Sequence, residues 1–166
     1  NDGRWDHFYG HNEKGVEMAS AVLHRLKFDN ATIDKVKRLV YRHDYGMGEL
    51  PKIKSFRKAL NKMGPDLFCD FTYIKRADIL AQSEYQREEK LGKLETLKDY
   101  YKEIMENNQC LAIKDLAITG KDLMDIGIKP GPAMGEILNM LLDKVLEEPE
   151  LNEREKLICI VDKYIS

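Results

Sequence analysis

Three polar side chains fall where apolar residues are expected, and together they could coordinate a metal ion. His43 lies three residues after Val40 on one helical stripe, and Asp78 lies four residues after Ile74 on another. His11 lies just ahead of a predicted helix. An ionised carboxylate on an apolar face needs a partner, and imidazole combined with carboxylate suits zinc, manganese, iron or magnesium.

A structural interpretation of the same residues stays open. A histidine on an apolar face is commonly a hydrogen-bonded core residue, and an aspartate there commonly pairs with a nearby cation, here Arg42 or Arg76. The histidines show no His-x-x-x-His spacing, and structural ion-pair networks perturb titratable groups as metal sites do. A divalent metal (magnesium, manganese, zinc or iron) is therefore one of two interpretations that the spacing allows.

A second candidate site lies in a stretch near the C-terminal end that is rich in glycine and proline. Its glycines and prolines are Gly120, Gly127, Pro130, Gly131, Pro132 and Gly135. Glycine permits positive φ and a close backbone approach, and a helix that begins near Pro132 would present free N–H groups and a positive dipole end. With Lys121 and Lys129 close by in sequence, this stretch could hold phosphates. The alternative is a tight structural turn between helices.

Helical periodicity runs through nearly the whole sequence and predicts an all-α fold. Apolar residues recur at helical spacing over 16–26, 33–43, 53–63, 67–78, 91–105 and 137–145. Thr119 with Asp122 favours a helix start, and Asn152 with Glu155 resembles a capping box for the last helix. No strand-like alternation of useful length appears. We therefore predict two helical domains, 1–108 and 109–166.

Composition indicates a soluble globular protein. The net charge of -2 argues against a generally basic nucleic-acid coat but leaves room for a local basic patch. The three cysteines are widely spaced and show neither a disulfide framework nor zinc spacing, which favours a cytoplasmic location. No apolar run approaches the ~20 residues that span a bilayer, so we expect no membrane association. Because the sequence opens with Asn1, we expect a longer parent protein.

The C-terminal stretch has the most distinctive pattern of residues in the sequence. It reads Leu-Ala-Ile-Thr-Gly-Lys-Asp-Leu at 116–123, Gly-Ile-Lys-Pro-Gly-Pro at 127–132 and Gly-Glu-Ile-Leu at 135–138, and the pattern continues over 142–157. This pattern resembles the C-terminal domain of bacterial CCA-adding enzymes, within the tRNA nucleotidyltransferase and poly(A) polymerase family. The resemblance covers roughly the last third of the chain.

The earlier part carries a second set of motifs. Phe-Tyr-Gly-His-Asn-Glu at 8–13, the helix that ends at His43, and Arg-Ala-Asp at 76–78 are similar to the HD domain found in many of these enzymes. The resemblance implies that His11, His43 and Asp78 are remnant metal ligands. An upstream histidine and the His-Asp doublet of an intact HD domain would lie before Asn1, so the implied site for a divalent metal is partial.

The resemblance implies tRNA as a partner and a catalytic head outside this chain. The family's head domain carries a Gly-Ser dipeptide and paired carboxylates that hold two metal ions, and no such motif occurs here. We therefore expect this chain to bind and position the acceptor and TΨC region of tRNA for that head domain, by backbone and shape. The residues expected to contact RNA are Lys114, Lys121, Lys129, Gly131 and Gly135. The alternatives are an HD-type metal-dependent phosphohydrolase and a purely structural helical module.

Overall fold

The computed structural model describes residues 10–46 and 48–165, and most of these are helical. Within them lie the helices α1 His11–Arg25, α2 Asn30–Arg42, α3 Ile53–Met63, α4 Phe68–Ala81, α5 Arg87–Glu106, α6 Gly120–Asp125, α7 Pro132–Glu147 and α8 Arg154–Ile165. Short 3₁₀ turns occupy Pro65–Leu67, Ile113–Asp115 and Pro149–Leu151. No strand occurs among the described residues, so the all-α prediction is confirmed. Phe8 and Tyr9 of the predicted Gly-His motif lie outside the described residues.

The chain divides into two compact units that are discontinuous in sequence. The first unit comprises the residues up to Glu49 and Met63–Leu94, and the second comprises Leu50–Lys62 and Glu95–Ser166. These units are defined by packing, and the division into domains 1–108 and 109–166 stays a prediction. Across the residues that the structure describes, no helix is both long and apolar enough to cross a membrane.

Helices α1 and α2 pack against each other in the first unit. A Cβ atom on Gly15 would lie 3.1 Å from Val40 Cγ1, so the glycine allows a close approach of the two helices. None of the α1 side chains is fully buried, and Val22 and Leu26 are 44% and 58% exposed. The prediction of a core stripe along α1 was therefore wrong for these two residues.

The buried face of α4 differs from the one that apolar periodicity predicts. The expected face contained Leu67, Phe71, Ile74 and Asp78, but Ile74 is largely exposed. The observed buried face of the helix is formed by Phe68, Phe71, Thr72, Lys75 and Ile79. Two polar residues on this face displace the apolar pattern, because their donors find backbone carbonyls inside the unit. Thr72 Oγ1 donates to the Cys69 carbonyl at 2.7 Å, and Lys75 Nζ donates to the Tyr45 carbonyl.

The second unit has an apolar core to which α3, α5, α7 and α8 contribute. Fully buried side chains from these helices include Phe56, Leu60, Leu97, Ile104, Leu141, Val145, Leu157 and Val161. The rings of Phe56 and Tyr100 lie 6.0 Å apart, within the range in which aromatic pairs attract. The apolar faces predicted for α3 and α7 are confirmed by the burial of Phe56, Leu60 and Val145.

Arg57 is a buried cation of the second unit and closes the end of α7. Only 5% of the residue is exposed. Its Nε donates to the Leu146 carbonyl at 2.7 Å, one terminal nitrogen donates to the Glu147 carbonyl at 3.0 Å, and the other donates to Gln109 Oε1 at 3.2 Å. The last carbonyls of a helix lack partners within the helix, and Arg57 satisfies two of them. Burial lowers the pKa of the guanidinium from its ordinary value.

We predict that Arg57→Met destabilises the chain by about 3 kcal/mol. The substitution keeps most of the side-chain volume but removes the donors to the carbonyls of Glu147 and of the buried Leu146. Hydrogen bonds to charged groups contribute about 1.5–3 kcal/mol each. Urea unfolding followed by circular dichroism measures the loss. The exposed Arg76 offers a matched control, because Arg76→Met should change stability by less than about 0.5 kcal/mol. Equal stability of the two variants would contradict this assignment.

A carboxylate fixes the start of α6. Asp122 Oδ2 accepts hydrogen bonds from Thr119 Oγ1 at 2.7 Å and from the Thr119 backbone N–H at 2.8 Å, and Asp122 Oδ1 accepts from Arg154 Nε at 3.1 Å. The predicted helix start at Thr119, with Asp122 in the first turn, is therefore confirmed. The hydrogen bonds from Thr119, followed by that from Arg154, lower the pKa of Asp122 to about 2.

This shift predicts an acid-sensitive contribution to stability. Because the folded-state pKa of Asp122 lies below its ordinary value of 3.8, the ionised carboxylate stabilises the fold above that pH and loses its effect as the pH falls toward about 2. The stability difference between the wild type and Asp122→Asn should therefore shrink steadily over that interval in urea titrations. Asp125→Asn, on the same helix, should follow the wild type, and a pH-independent difference for Asp122→Asn would contradict the prediction.

Candidate functional site

The first candidate site is the glycine–proline segment, residues 117–135 of the second unit. It begins ahead of α6, passes through a turn and ends in the first turn of α7. Gly127 has φ 92°, a left-handed conformation that favours glycine, and its N–H donates to the Met124 carbonyl at 2.9 Å. The next N–H, of Ile128, donates to the Leu123 carbonyl at 3.0 Å. Gly127 thus ends α6 in the manner of a glycine C-cap.

The segment packs closely where α6 meets α7. A Cβ atom on Gly120 would lie 3.0 Å from the Met134 sulfur, so a larger residue would force that side chain to shift. Pro132 is the first residue of α7, where its missing N–H costs nothing, and this confirms the predicted helix start. The positive end of the α7 dipole therefore lies directly after Gly131.

A long-range hydrogen-bond pair ties the segment to the chain that follows α7. Asn152 Oδ1 accepts from the Ala117 N–H at 2.8 Å, and Asn152 Nδ2 donates to the Asp115 carbonyl at 3.0 Å. The prediction that Asn152 caps the last helix was therefore wrong. Helix α8 begins at Arg154, and the Asn152 side chain hydrogen-bonds to the backbone of residues distant in sequence. Local spacing does not reveal these long-range partners.

Each of the three lysines predicted to bind RNA is exposed. Lys114 lies in a 3₁₀ turn, Lys121 lies in α6, and Lys129 lies in the turn before α7. Among the residues that the structure describes, none of the three forms an ion pair, whereas Lys58 and Lys156 bind carboxylates at 2.7 and 2.8 Å. Gly131 is exposed and Gly135 is partly exposed, so their backbones are accessible. The role of these five residues stays a prediction.

The second candidate site lies in the first unit, where the structure brings two predicted metal ligands together. The rings of His11 and His43 lie 5.4 Å apart in an edge-on arrangement. His11 Nε2 lies 3.5 Å from Asp44 Oδ2, and the Asn12 amide donates to the same carboxylate at 3.3 Å. The Nδ1–H of His43 donates to the Val40 carbonyl at 2.7 Å. Asp44 therefore places a carboxylate beside His11. The sequence motif did not indicate this contact.

Asp78, the third predicted ligand, has a different partner. Its Oδ2 accepts a hydrogen bond from Gln82 Nε2 at 2.9 Å, one turn further along the chain. Arg42, considered above as a partner for Asp78, instead lies over the Tyr41 ring at 5.1 Å from its centroid. Nowhere within 10–46 and 48–165 do three His, Cys, Asp or Glu side chains form a group that could hold a metal ion. His11, His43 and Asp78 therefore do not form such a group in this structure, and the proposed ligand set stays a prediction.

Lys75 is a functional-site candidate that the sequence reasoning missed. Only 2% of the residue is exposed, and its Nζ lies 5.5 Å from the centroid of the Phe71 ring. Burial lowers the pKa of this ammonium to about 8, and the negative charges of Asp44 and Asp78 oppose that shift. The available signal was its position, since Lys75 lies four residues after Phe71 and four before Ile79 on one helical face.

Comparison with known proteins supports the sequence resemblance. The chain is 32% identical over 143 residues to the CC-adding tRNA nucleotidyltransferase of Thermus thermophilus, a match that covers 84% of this chain and 30% of that protein. It is 26% identical over 137 residues to the A-adding tRNA nucleotidyltransferase of Deinococcus radiodurans, covering 82% and 31%. It is 47% identical over 47 residues to the CCA-adding enzyme of Lacticaseibacillus paracasei, covering 28% and 12%.

The chain thus spans less than a third of the length of each of these relatives. No solved structure matches it significantly. The family model for tRNA nucleotidyltransferase domain 2 matches residues 5–161 and so covers nearly all of the sequence. On this evidence the chain belongs to the tRNA nucleotidyltransferase family.

Proposed function

We propose that this chain is a tRNA-binding part of a nucleotide-adding enzyme, and that it positions the acceptor and TΨC region of tRNA for a catalytic head domain. The observation that carries the proposal is the glycine–proline segment, in which Lys121 and Lys129 are exposed, form no ion pair with any residue that the structure describes, and lie close in sequence to the start of α7. The relatives named above include CC-adding and A-adding tRNA nucleotidyltransferases, which makes tRNA the substrate to test.

The chemistry of the segment suits an RNA backbone better than a base edge. Phosphate binding needs cations and backbone N–H groups, and it does not need a generally basic surface. Lys121 and Lys129 supply the cations, and Gly131 and Gly135 allow the phosphate chain to approach the protein backbone. The deep major groove of duplex RNA hides its bases, so recognition by shape and backbone is the mode expected for a tRNA stem.

Preorganisation supports the same proposal. The segment is held by the Asn152 bridge to Ala117 and by the Asp122 contacts to Thr119 and Arg154. Binding therefore requires little ordering of the backbone, and a smaller ordering cost leaves more of the interaction energy for affinity. Whether the parent enzyme adds CC, A or CCA is determined by its head domain under this proposal. The alternative of a metal-dependent phosphohydrolase is less favoured, because the described residues contain no group of three side chains that could hold a metal ion.

We predict that the double variant Lys121→Ala/Lys129→Ala binds a tRNA acceptor-TΨC minihelix about tenfold more weakly than the wild type at about 100 mM salt. The slope of log Kd against log salt should also fall by about 2, because each lost phosphate contact removes roughly one unit. Gel shift or fluorescence anisotropy across a salt series measures both quantities, with single-stranded RNA as the reference ligand.

A matched control removes the same charge from another helix of the second unit. Lys98 and Lys102 lie on α5 and pair with Glu95 and Glu106, so Lys98→Ala/Lys102→Ala should bind the minihelix nearly as the wild type does. Equal losses in the two double variants would show that net charge alone governs binding. Salt-independent binding, or wild-type affinity in the Lys121/Lys129 variant, would refute the proposed role of the segment.

A further inference from the structure

The first unit contains a buried cation in the region where the family resemblance implies a metal site. We name the six residues concerned the polar corner: His11, Asn12, His43, Asp44, Lys75 and Asp78. Within it, Lys75 is almost fully buried, whereas His11 and Asp44 keep nearly half of their side-chain surface exposed, 45% and 43%. A lone ammonium is costly to bury unless nearby groups compensate its charge and satisfy its protons.

Hydrogen bonding fixes the position of the ammonium. Lys75 Nζ donates to the carbonyl of Tyr45, which directly follows the His43-Asp44 pair, and it lies beside the face of the Phe71 ring. The bond ties α4 to the end of α2. Asp78 lies three residues after Lys75, so both side chains project from neighbouring positions on the same side of α4. The cation is thus held between the two elements that carry Asp44 and Asp78.

Two carboxylates of the polar corner lie close enough to Lys75 to act on its charge. Asp44 and Asp78 both act on Lys75, since their negative charges raise the pKa that burial lowers. Asp44 also accepts hydrogen bonds from Asn12 and lies 3.5 Å from the His11 ring nitrogen. Asp78 accepts from Gln82. Each carboxylate therefore has its own hydrogen-bond donor, and both attract the same cation.

We propose that the Lys75 ammonium takes the place of a divalent metal ion in the first unit, so that the polar corner is a metal-independent lock joining α1, α2 and α4. A metal ion brought to the same carboxylates would be repelled by the ammonium at short range. With the ammonium in place the donors do not converge on one point, as a metal site requires, because Asp44 faces His11 and Asp78 binds Gln82. The unit would retain the form of an HD-like domain without its metal chemistry.

The test uses the full chain with Mn²⁺ or Zn²⁺ as the probe, in calorimetric titration and in metal analysis after dialysis. The wild type should show no saturable binding up to about 1 mM. Lys75→Met keeps about the same side-chain length and removes the charge. This variant and Lys75→Ala should each bind metal more than about tenfold more tightly than the wild type, because the ammonium no longer repels the ion. The exposed neighbour supplies the matched control, and Arg76→Ala should behave as the wild type.

Several outcomes would overturn the proposal. Binding of one equivalent of metal by the wild type, abolished by Asp78→Asn, would show that the residues form a metal site despite Lys75. Folded Lys75 variants that gain no metal affinity would show that the ammonium is not what keeps metal out.

A second measurement on the wild type does not depend on how the variants fold. In NMR spectra, Mn²⁺ should broaden the imidazole signals of His11 and His43 no more than those of His24, which lies further along α1. Selective broadening of His11 and His43 would refute the metal-independent lock. If both Lys75 variants unfold while this broadening is absent, their unfolding supports the role of Lys75 in joining the helices.

Discussion

Helix α7 ends at Glu147 with backbone carbonyls that no further helical turn can satisfy, and α3 supplies the missing donors through Arg57. The constraint acts in both directions. The guanidinium is tolerated in the interior because its planar donors match the carbonyls of α7 and the side chain of Gln109. The carbonyls are tolerated because the guanidinium is there. The packing of α3 in the second unit therefore depends on polar complementarity as well as on the apolar contacts of Phe56 and Leu60.

Two buried cations among the described residues, Arg57 and Lys75, follow the same physical rule. Arg57 in the second unit and Lys75 in the first unit both donate to backbone carbonyls, in each case near the end of a helix. The folded backbone already fixes the position of a carbonyl group. Pairing a buried cation with a carbonyl therefore costs less conformational entropy than pairing it with a flexible carboxylate side chain. In each unit the cation joins segments that are separated in sequence and so replaces some of the apolar contact that small units lack.

Much of the helical framework could be predicted from local chemistry. Pro132 begins α7, Thr119 and Asp122 begin α6, and the apolar faces of α3 and α7 are buried as their periodicity indicates, because each of these features depends on neighbouring residues. Residues whose role depends on distant partners could not be predicted in this way. Asn152 lies at the spacing of a helix cap but hydrogen-bonds to Ala117. Lys75 is of a residue type usually found at the surface, but it is buried in the first unit. The motif around His11 predicts remnant metal ligands, and this stays a prediction, whereas the carboxylate of Asp44 beside His11 became visible only in three dimensions.

The discontinuous second unit has a consequence for how the chain is made. Residues 50–62, which include Arg57, are synthesised before the first unit is complete, yet the carbonyls that Arg57 binds are synthesised 89 and 90 residues later, at Leu146 and Glu147. Until α7 emerges from the ribosome, this guanidinium has no native acceptor from that helix, and Gln109 is the one acceptor described above that is synthesised earlier. Maturation of the second unit therefore waits for the C-terminal part of the chain. For the same reason, a fragment limited to residues 109–166 would lack the donors that close its own longest helix.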